Sequence, residues 1–454
     1  MKPSHDLAGL MKFATRPDWR EHLGDALGDH FGAAMKEFDL DHEEIAEIVG
    51  DHWASVLWGG AFEDLATREV DPDGRNLIDD YLKRRGWNET GPAKAYMRAL
   101  RVSVTSLYEV SDIEPGQSLL ARDLIRGGEP VRVSERSATK SLVQWDRIGA
   151  RIVIVGNKNV LAGGVLSFTM EAADALLAGL RKAEGKRSPR AKLSIDDTAL
   201  RGLAHLMSAA WLFDVIPKAT GMVAPPTLLN SDGEEVVFHR VRFGFARGVA
   251  QAVIAERLDT LSALQRENAR FWNWLGQPPG ASPPPRRQVG AIAWGVSMDD
   301  GTPVLGNVEL SGRALVLSVS SAERAERGAA LIGNRLGNLV TVPLTTIETV
   351  DQAIAASRGG ATDKSPAVPS EVATPLVHDM LDRQYRATFD QPVGMLGNVT
   401  PRTAAKTPAG RDRLVAWLKH LENRSASQPD ATDPMATYDF NWLWRELGVE
   451  NLRR

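Results

Sequence analysis

From Lys12 to about Arg101, apolar side chains recur at three- and four-residue steps. Phe31, Met35 and Phe38 are followed by Ile45, Ile48, Val49 and Trp53, the spacing that puts one face of an α-helix into a core. Asp39 and Asp41 flank an expected N-cap, with Glu43 and Glu44 in the first turn, where the helix dipole favours acid. Asn76–Arg85 predicts another helix stopped by Gly86, and Gly91-Pro92 opens a third that runs into Leu107. Residues 1–105 read as a helical domain. Between Ser106 and Thr169 the period changes. Val131 and Val133 alternate with arginine, Ile152 and Ile154 with Arg151 and Val153, and Pro115-Gly116, Gly127-Gly128 and Gly156-Asn157 supply turns. About five or six short strands of this kind predict a small barrel or strongly curled sheet over 106–169.

Residues 170–276 read as a helical region with one short strand. It comprises a helix from Met170, a basic linker at Gly185–Lys192, a helix at Ser194–Leu212 and a strand at Phe238–Phe245. A long amphipathic helix is predicted at Gly248–Trp274, its stripe being Val253, Ile254, Leu258, Leu261 and Leu264. QPPGASPPPRR (277–287) can be neither helix nor central strand and marks a domain boundary. An α+β module follows at 288–356: a hairpin at Val304–Val319 around Ser311-Gly312, a helix capped by Ser320-Ser321, and a strand at Leu339–Val342. Ser357–Ser370 is a polar linker. The tail, 371–454, gives helices at Thr374–Tyr385 and Tyr438–Leu447, and between them a pair opened by Thr400-Pro401 and Thr407-Pro408. In each of those, threonine is an N-cap and proline the first helical residue. The fold class is multidomain α+β.

Composition narrows the functions. At 454 residues the chain exceeds one ordinary core, so about two to four compact units are expected. A net charge of −4 gives no whole-chain attraction to nucleic acid or anionic membrane. Without cysteine there is no disulfide, thiolate metal site or cysteine nucleophile. No run reaches the roughly 18 apolar residues of a membrane span, so a cytoplasmic protein with no membrane partner is expected.

No motif for catalysis emerges. Five of the nine histidines (His5, His22, His30, His42, His52) lie among Asp25, Asp29, Glu44 and Asp51 near the N-terminus. They could seat a metal-dependent hydrolase, but no His-Glu-x-x-His pair places two ligands on one helix face, and a solvated acidic surface explains them as well. No P-loop, nucleophile elbow or dinucleotide fingerprint is found. We therefore expect no catalytic residue, metal or cofactor. Nucleic acid is an alternative partner. Arg181, Lys182, Lys186, Arg187, Arg190 and Lys192 crowd the linker, and Arg132, Arg136, Lys140 and Arg147 accompany Trp145 in the barrel region, a combination suited to backbone charge and base stacking. Interspersed acids dilute that field. Asp123 and Glu135, beside Arg122 and Arg136, are expected to form cross-strand ion pairs.

The tail carries one further pattern: Leu396-Gly397-x-x-Thr400-Pro401-Arg402-x-Ala404-Ala405, then Thr407-x-x-Gly410-Arg411 and a leucine-spaced helix with Leu414, Trp417, Leu418 and Leu421. It resembles the toxin-binding domain of the Xre/MbcA/ParS-like antitoxins. The resemblance implies a small helical bundle that holds a partner protein, a toxin in that family. Leu396, Thr400, Pro401, Arg402, Gly410 and Arg411 would shape the unit, and Leu414, Trp417, Trp442 and Trp444 would supply an apolar face for the partner. Segments such as LYEVSDIEPGQSLLARDL and LVLSVSSAERAERG also resemble large bacterial proteins that often end in a SEC-C zinc motif, which a cysteine-free chain cannot carry. The function expected is protein interaction without catalysis. No repressor-type DNA-reading helix–turn–helix is recognisable at the N-terminus.

Overall fold

Side-chain caps open three of the N-terminal helices. In the computed structural model, which describes residues 7–188, 191–222, 227–278, 291–298, 300–349, 352, 370–428 and 433–453, six α-helices precede the first strand. They are α1 (Ala8–Ala14), α2 (Pro17–Phe38), α3 (His42–Val49), α4 (Asp51–Thr67), α5 (Leu77–Arg85) and α6 (Gly91–Val102). Asp41 accepts from the backbone of Glu43 and Glu44 while Glu44 returns a bond to the Asp41 N–H, a complete capping box. Asn76 caps α5 more simply, its side-chain oxygen accepting from the backbone N–H of Ile78 and Asp79. The third predicted helix ends at Val102, short of Leu107, because Leu107 already belongs to a strand and is fully buried there. Among the described residues, no helix is long and apolar enough to cross a membrane.

The barrel is built from β1 (Thr105–Glu114), β2 (Ser118–Asp123), β3 (Val131–Ser134), β4 (Arg147–Val155) and β5 (Lys158–Leu161). Its strand order is β1-β2-β3-β5-β4, closed by β1 pairing with β4; β3 and β5 are parallel. This is the connectivity of an OB-fold barrel. Alternate residues Tyr108, Val110, Leu119, Val133 and Ile148 fill it. A short β6 (Leu166–Phe168) pairs antiparallel with β4, then α7 (Met170–Ala183), α8 (Asp197–Gly202) and α9 (Ala204–Ala219) follow. The barrel and these helices share a compact unit, Met1–Val223, with the tail from Val368 onward.

The second unit, Ala224–Ala367, holds β7 (Thr227–Leu229), β8 (Phe238–Gly244), α10 (Gln251–Leu258), β9 (Leu264–Asn268), β10 (Phe271–Leu275), β11 (Ala291–Ala293), β12 (Val296–Ser297), β13 (Pro303–Ser311), β14 (Ala314–Val319), α11 (Ala322–Leu336) and β15 (Leu344–Glu348). Its main sheet runs β15-β8-β14-β13-β10-β9, with β12 paired to β13. The hairpin around Ser311-Gly312 and the helix capped by Ser321 stand as expected.

Three expectations fail here. The helix predicted over Gly248–Trp274 stops at Leu258 and gives way to the β9–β10 hairpin. The reason is the two-residue period of Trp272 and Trp274, both buried in a sheet core, which overrides the helical spacing of Leu258, Leu261 and Leu264. The boundary read at 277–287 is instead a connection inside one sheet, since β10 pairs directly with β13 across it; most of that stretch lies outside the described residues. The last strand begins at Leu344, not Leu339, and before it only Val340 bridges Phe245.

The tail folds as α12 (Ser370–Thr388), α13 (Pro401–Ala404), α14 (Pro408–Ala426) and α15 (Asn441–Glu446). Thr400 and Thr407 cap α13 and α14, each followed by proline. Leu396, Leu414, Trp417, Leu418, Leu443 and Trp444 form its core. The turn between α13 and α14 closes on Gly410, where an added Cβ would lie 2.0 Å from the Ala404 carbonyl oxygen. Gly410→Ala is therefore expected to destabilise the chain by at least about 1–3 kcal/mol, the usual overpacking cost, read as a lowered urea midpoint. An unchanged midpoint would mean the α13–α14 contact is looser than described.

Candidate functional site

Helix α14 meets the barrel through charged groups removed from water. Lys419 is 2% exposed and Glu109, on β1, 3%. The lysine Nζ donates to Glu109 Oε1 at 2.5 Å and stands 3.9 Å from the centre of the Trp145 ring. Arg122 on β2 donates to the same carboxylate at 2.6 Å. One turn along α14, Glu422 accepts from Trp145 Nε1 at 2.6 Å and Arg453 at 3.1 Å, and also from Trp444 Nε1. Asn423 donates to the Gln144 carbonyl at 3.0 Å and to Asp146 at 2.8 Å. Trp145 itself has φ 69°, a left-handed conformation that costs a bulky residue roughly 1–3 kcal/mol. Its backbone N–H to Val110 at 2.8 Å and its indole bond to Glu422 hold it there. The result is an intramolecular docking site in which Glu422 joins an indole of the barrel, an indole of the tail and the C-terminal Arg453.

Burial lowers the Lys419 pKa to about 8, against the opposing pull of Glu109. Burial likewise raises Asp146, although the Val143 N–H and Asn423 partly offset it.

The expected site residues divide. Leu396, Pro401, Leu414, Trp417 and Trp444 are buried in the tail's own core, so the apolar face read from their spacing points inward. Trp442 is half-buried, its Nε1 donating to Tyr438 at 2.9 Å with Arg386 over its ring. Thr400 is the α13 cap, Arg402 is exposed between Asp390 and Glu446, and Arg411 is exposed. Among the basic residues, Trp145 lies in the seam, Arg147 is buried against Asp174 at 2.6 Å, and Arg132 pairs with Asp112 and Glu114. Lys186 is held by Glu184 and Ser194; Arg136, Lys140 and Arg187 are exposed. The cross-strand pairs expected of Asp123 and Glu135 do not form. Asp123 bonds Ser106, Arg126 and the turn amides after β2, while Glu135 caps Ser137 and Ala138.

The N-terminal histidines do not converge, and His5 lies outside the described residues. His22 is near Asp71, His42 packs on Phe31 and His52 on Trp53. Among the described residues, no three His, Asp or Glu side chains are grouped to hold a metal. His30 does complete a serine–histidine–aspartate chain, its Nδ1 2.7 Å from Ser208 Oγ and its Nε2 3.2 Å from Asp64. All three are at most 3% exposed, and they tie α2, α4 and α9 together. Burial would raise the Asp64 carboxyl, but hydrogen bonds from His30 and Arg68 outweigh it and leave the pKa lowered. Its stabilising effect is therefore present above the unfolded carboxylate pKa and lost as pH falls through the native value.

Residues 59–193 match a family of unknown function (DUF7986). That span holds the barrel with its flanking helices, including Glu109, Arg122 and Trp145, and excludes Lys419 and Glu422. No curated protein and no solved structure matches the chain.

Sequence reading missed Lys419, Glu422 and Asn423. The available signal was a lysine and a glutamate one turn apart, set between Trp417, Leu418 and Leu421, on a helix edge that needs no charge if it faces water. Glu109→Gln should cost several kcal/mol, because it removes the carboxylate charge that Lys419 and Arg122 share in a buried site. Lys419→Met should cost less, since Arg122 still neutralises Glu109. The native Lys419 pKa lies below that of an unfolded lysine, so between about pH 8 and 10.4 the unfolded chain binds more protons. Wild-type stability relative to Lys419→Met should therefore rise with pH across that window in urea titrations; a constant difference would contradict the burial assigned to this lysine.

Proposed function

We infer that this chain is a non-enzymatic binding protein whose C-terminal bundle holds polypeptide surface, and that one surface it holds is its own barrel. The observation that carries this reading is the seam itself. A module resembling the toxin-binding domain of Xre/MbcA/ParS-like antitoxins places buried Lys419 and Glu422 and half-buried Asn423 against β1 and the turn before β4. Buried, hydrogen-bonded charges fix register and partner choice at interfaces more than they add affinity. The bundle also keeps Arg402 and Arg411 exposed, with Met380 and Met395 54% and 50% exposed. Arginine and methionine are enriched at protein interfaces, so these residues are offered as the surface for a second protein. Trp417 and Trp444 act in this reading by shaping the bundle from within.

The reading is tested by dividing the chain in the linker before α12. Residues 1–368 and 369–454, co-expressed as separate chains, should purify as a one-to-one complex, and Glu422→Ala should reduce its yield severalfold. Two folded fragments that elute apart would overturn the proposal. Nucleic-acid binding remains the second reading, favoured by the barrel's closed β1-β2-β3-β5-β4 order and exposed Arg136, Lys140 and Arg187. It predicts a gel shift that weakens steeply with salt.

A further inference from the structure

The main sheet of the second unit has two unlike faces. Val241, Val308, Leu317 and Trp272 point into the core with α10 and α11. The alternate positions point the other way, and the register aligns them into a row. Thr346 lies opposite Arg240, Arg240 opposite Ser318, Ser318 opposite Asn307, and Asn307 opposite Asn273. Asn307 donates to Asn273 at 2.7 Å, which orients both amides. A polar second face is ordinary in an antiparallel sheet. What distinguishes this one is the apolar wall beside it: Trp294, Val296 and Met298 from the β12 segment border an open cavity of about 460 Å³ over the row. The Trp294 ring stands edge-on to Phe238, their centres 5.7 Å apart. The volume falls within the roughly 300–1,000 Å³ of small-molecule sites, and an apolar wall with a few convergent polar groups is their usual lining.

Three charged side chains line the cavity; Arg324 is paired with Asp232 at 3.2 Å, and the other two, of opposite sign, border the cavity without meeting. Arg240 sits on β8, and Glu348 lies opposite Phe238, two residues along β15 from the partner of Arg240. Among the described residues, neither makes an ion pair. On α11, Arg324 and Arg327 reach Asp232 at 3.2 and 2.5 Å, whereas Arg242, on the same strand as Arg240, likewise makes no ion pair among the described residues. A single cation or anion would satisfy one of the two charges and face the other. A molecule carrying both signs a short distance apart satisfies each.

We propose that this cavity binds a small zwitterion, a free α-amino acid with an aromatic or large apolar side chain. Its carboxylate lies on Arg240, its ammonium on Glu348, and its side chain against Trp294 and Met298. Ser318 and Asn307 supply the remaining hydrogen bonds from the floor. The site belongs to the second unit and is independent of the α14–barrel seam, so neither proposal stands or falls with the other.

The test is isothermal titration calorimetry of the full chain with L-phenylalanine, L-phenylalaninamide, N-acetyl-L-phenylalanine and phenyl phosphate. L-Phenylalanine should bind saturably, and each of the other three at least about tenfold more weakly. Arg240→Gln should bind the free acid and its amide alike, and Glu348→Gln should no longer favour the free over the acetylated amine. Trp294→Ala should weaken all of them. The comparison of ligands on the wild-type chain needs no variant, so a misfolded mutant does not remove the test. Absence of saturable binding by L-phenylalanine would overturn the proposal. Equal binding of the free acid and its blocked forms, or tighter binding of phenyl phosphate, would do the same.

Discussion

Glu422 is the contact on which the first unit's long-range order depends. A buried carboxylate is tolerated only where donors surround it, and its donors come from distant parts of the sequence: Trp145 from the barrel, Trp444 from the tail's last helix and Arg453 from the chain's end. Lys419 repeats the logic one turn earlier with the opposite sign, set between Glu109 and the Trp145 ring. Apolar burial builds the barrel and the bundle separately. The charges decide which face of one meets which face of the other, because any other register leaves a carboxylate or an ammonium buried without its partner.

That division of labour explains what could be read from the sequence. Local devices were legible. The N-cap beside Asp41, the two threonine–proline starts and the Ser321 cap each sit within four residues of what they stabilise. The alternation that announced the barrel is equally local. The β9–β10 hairpin was hidden because Leu258, Leu261 and Leu264 continue a helical spacing past the point where the chain turns, and only the sheet partner of Trp272 and Trp274 reveals the change of period. The seam was hidden for a stronger reason. Glu109 and Lys419 are 310 residues apart, and a lysine on a helix gives no sign of whether water or a carboxylate will face it.

The same limit governs the predicted partner surface. An apolar stripe on a helix shows that something covers it, and in the tail the cover is supplied from within: Leu414, Trp417 and Leu418 meet Leu396, Leu443 and Trp444. The serine, histidine and aspartate joined through His30 teach a related lesson. Hydrogen-bond distances alone do not make a reactive centre when every member is sealed between helices. In this chain, buried polar groups mainly align elements, whereas the open sheet face of the second unit gathers unpaired charge beside a cavity.

The account's central claim is that the bundle and barrel are held in register by buried charge-assisted contacts. The most direct measurement is a double-mutant cycle in the full chain with Trp145→Phe and Glu422→Gln, read by equilibrium urea unfolding of the first unit. The account predicts a coupling energy of about 1 kcal/mol or more, as found for contacting residues in one network. Strict additivity of the two substitutions would show that Trp145 and Glu422 do not act together, and would contradict it.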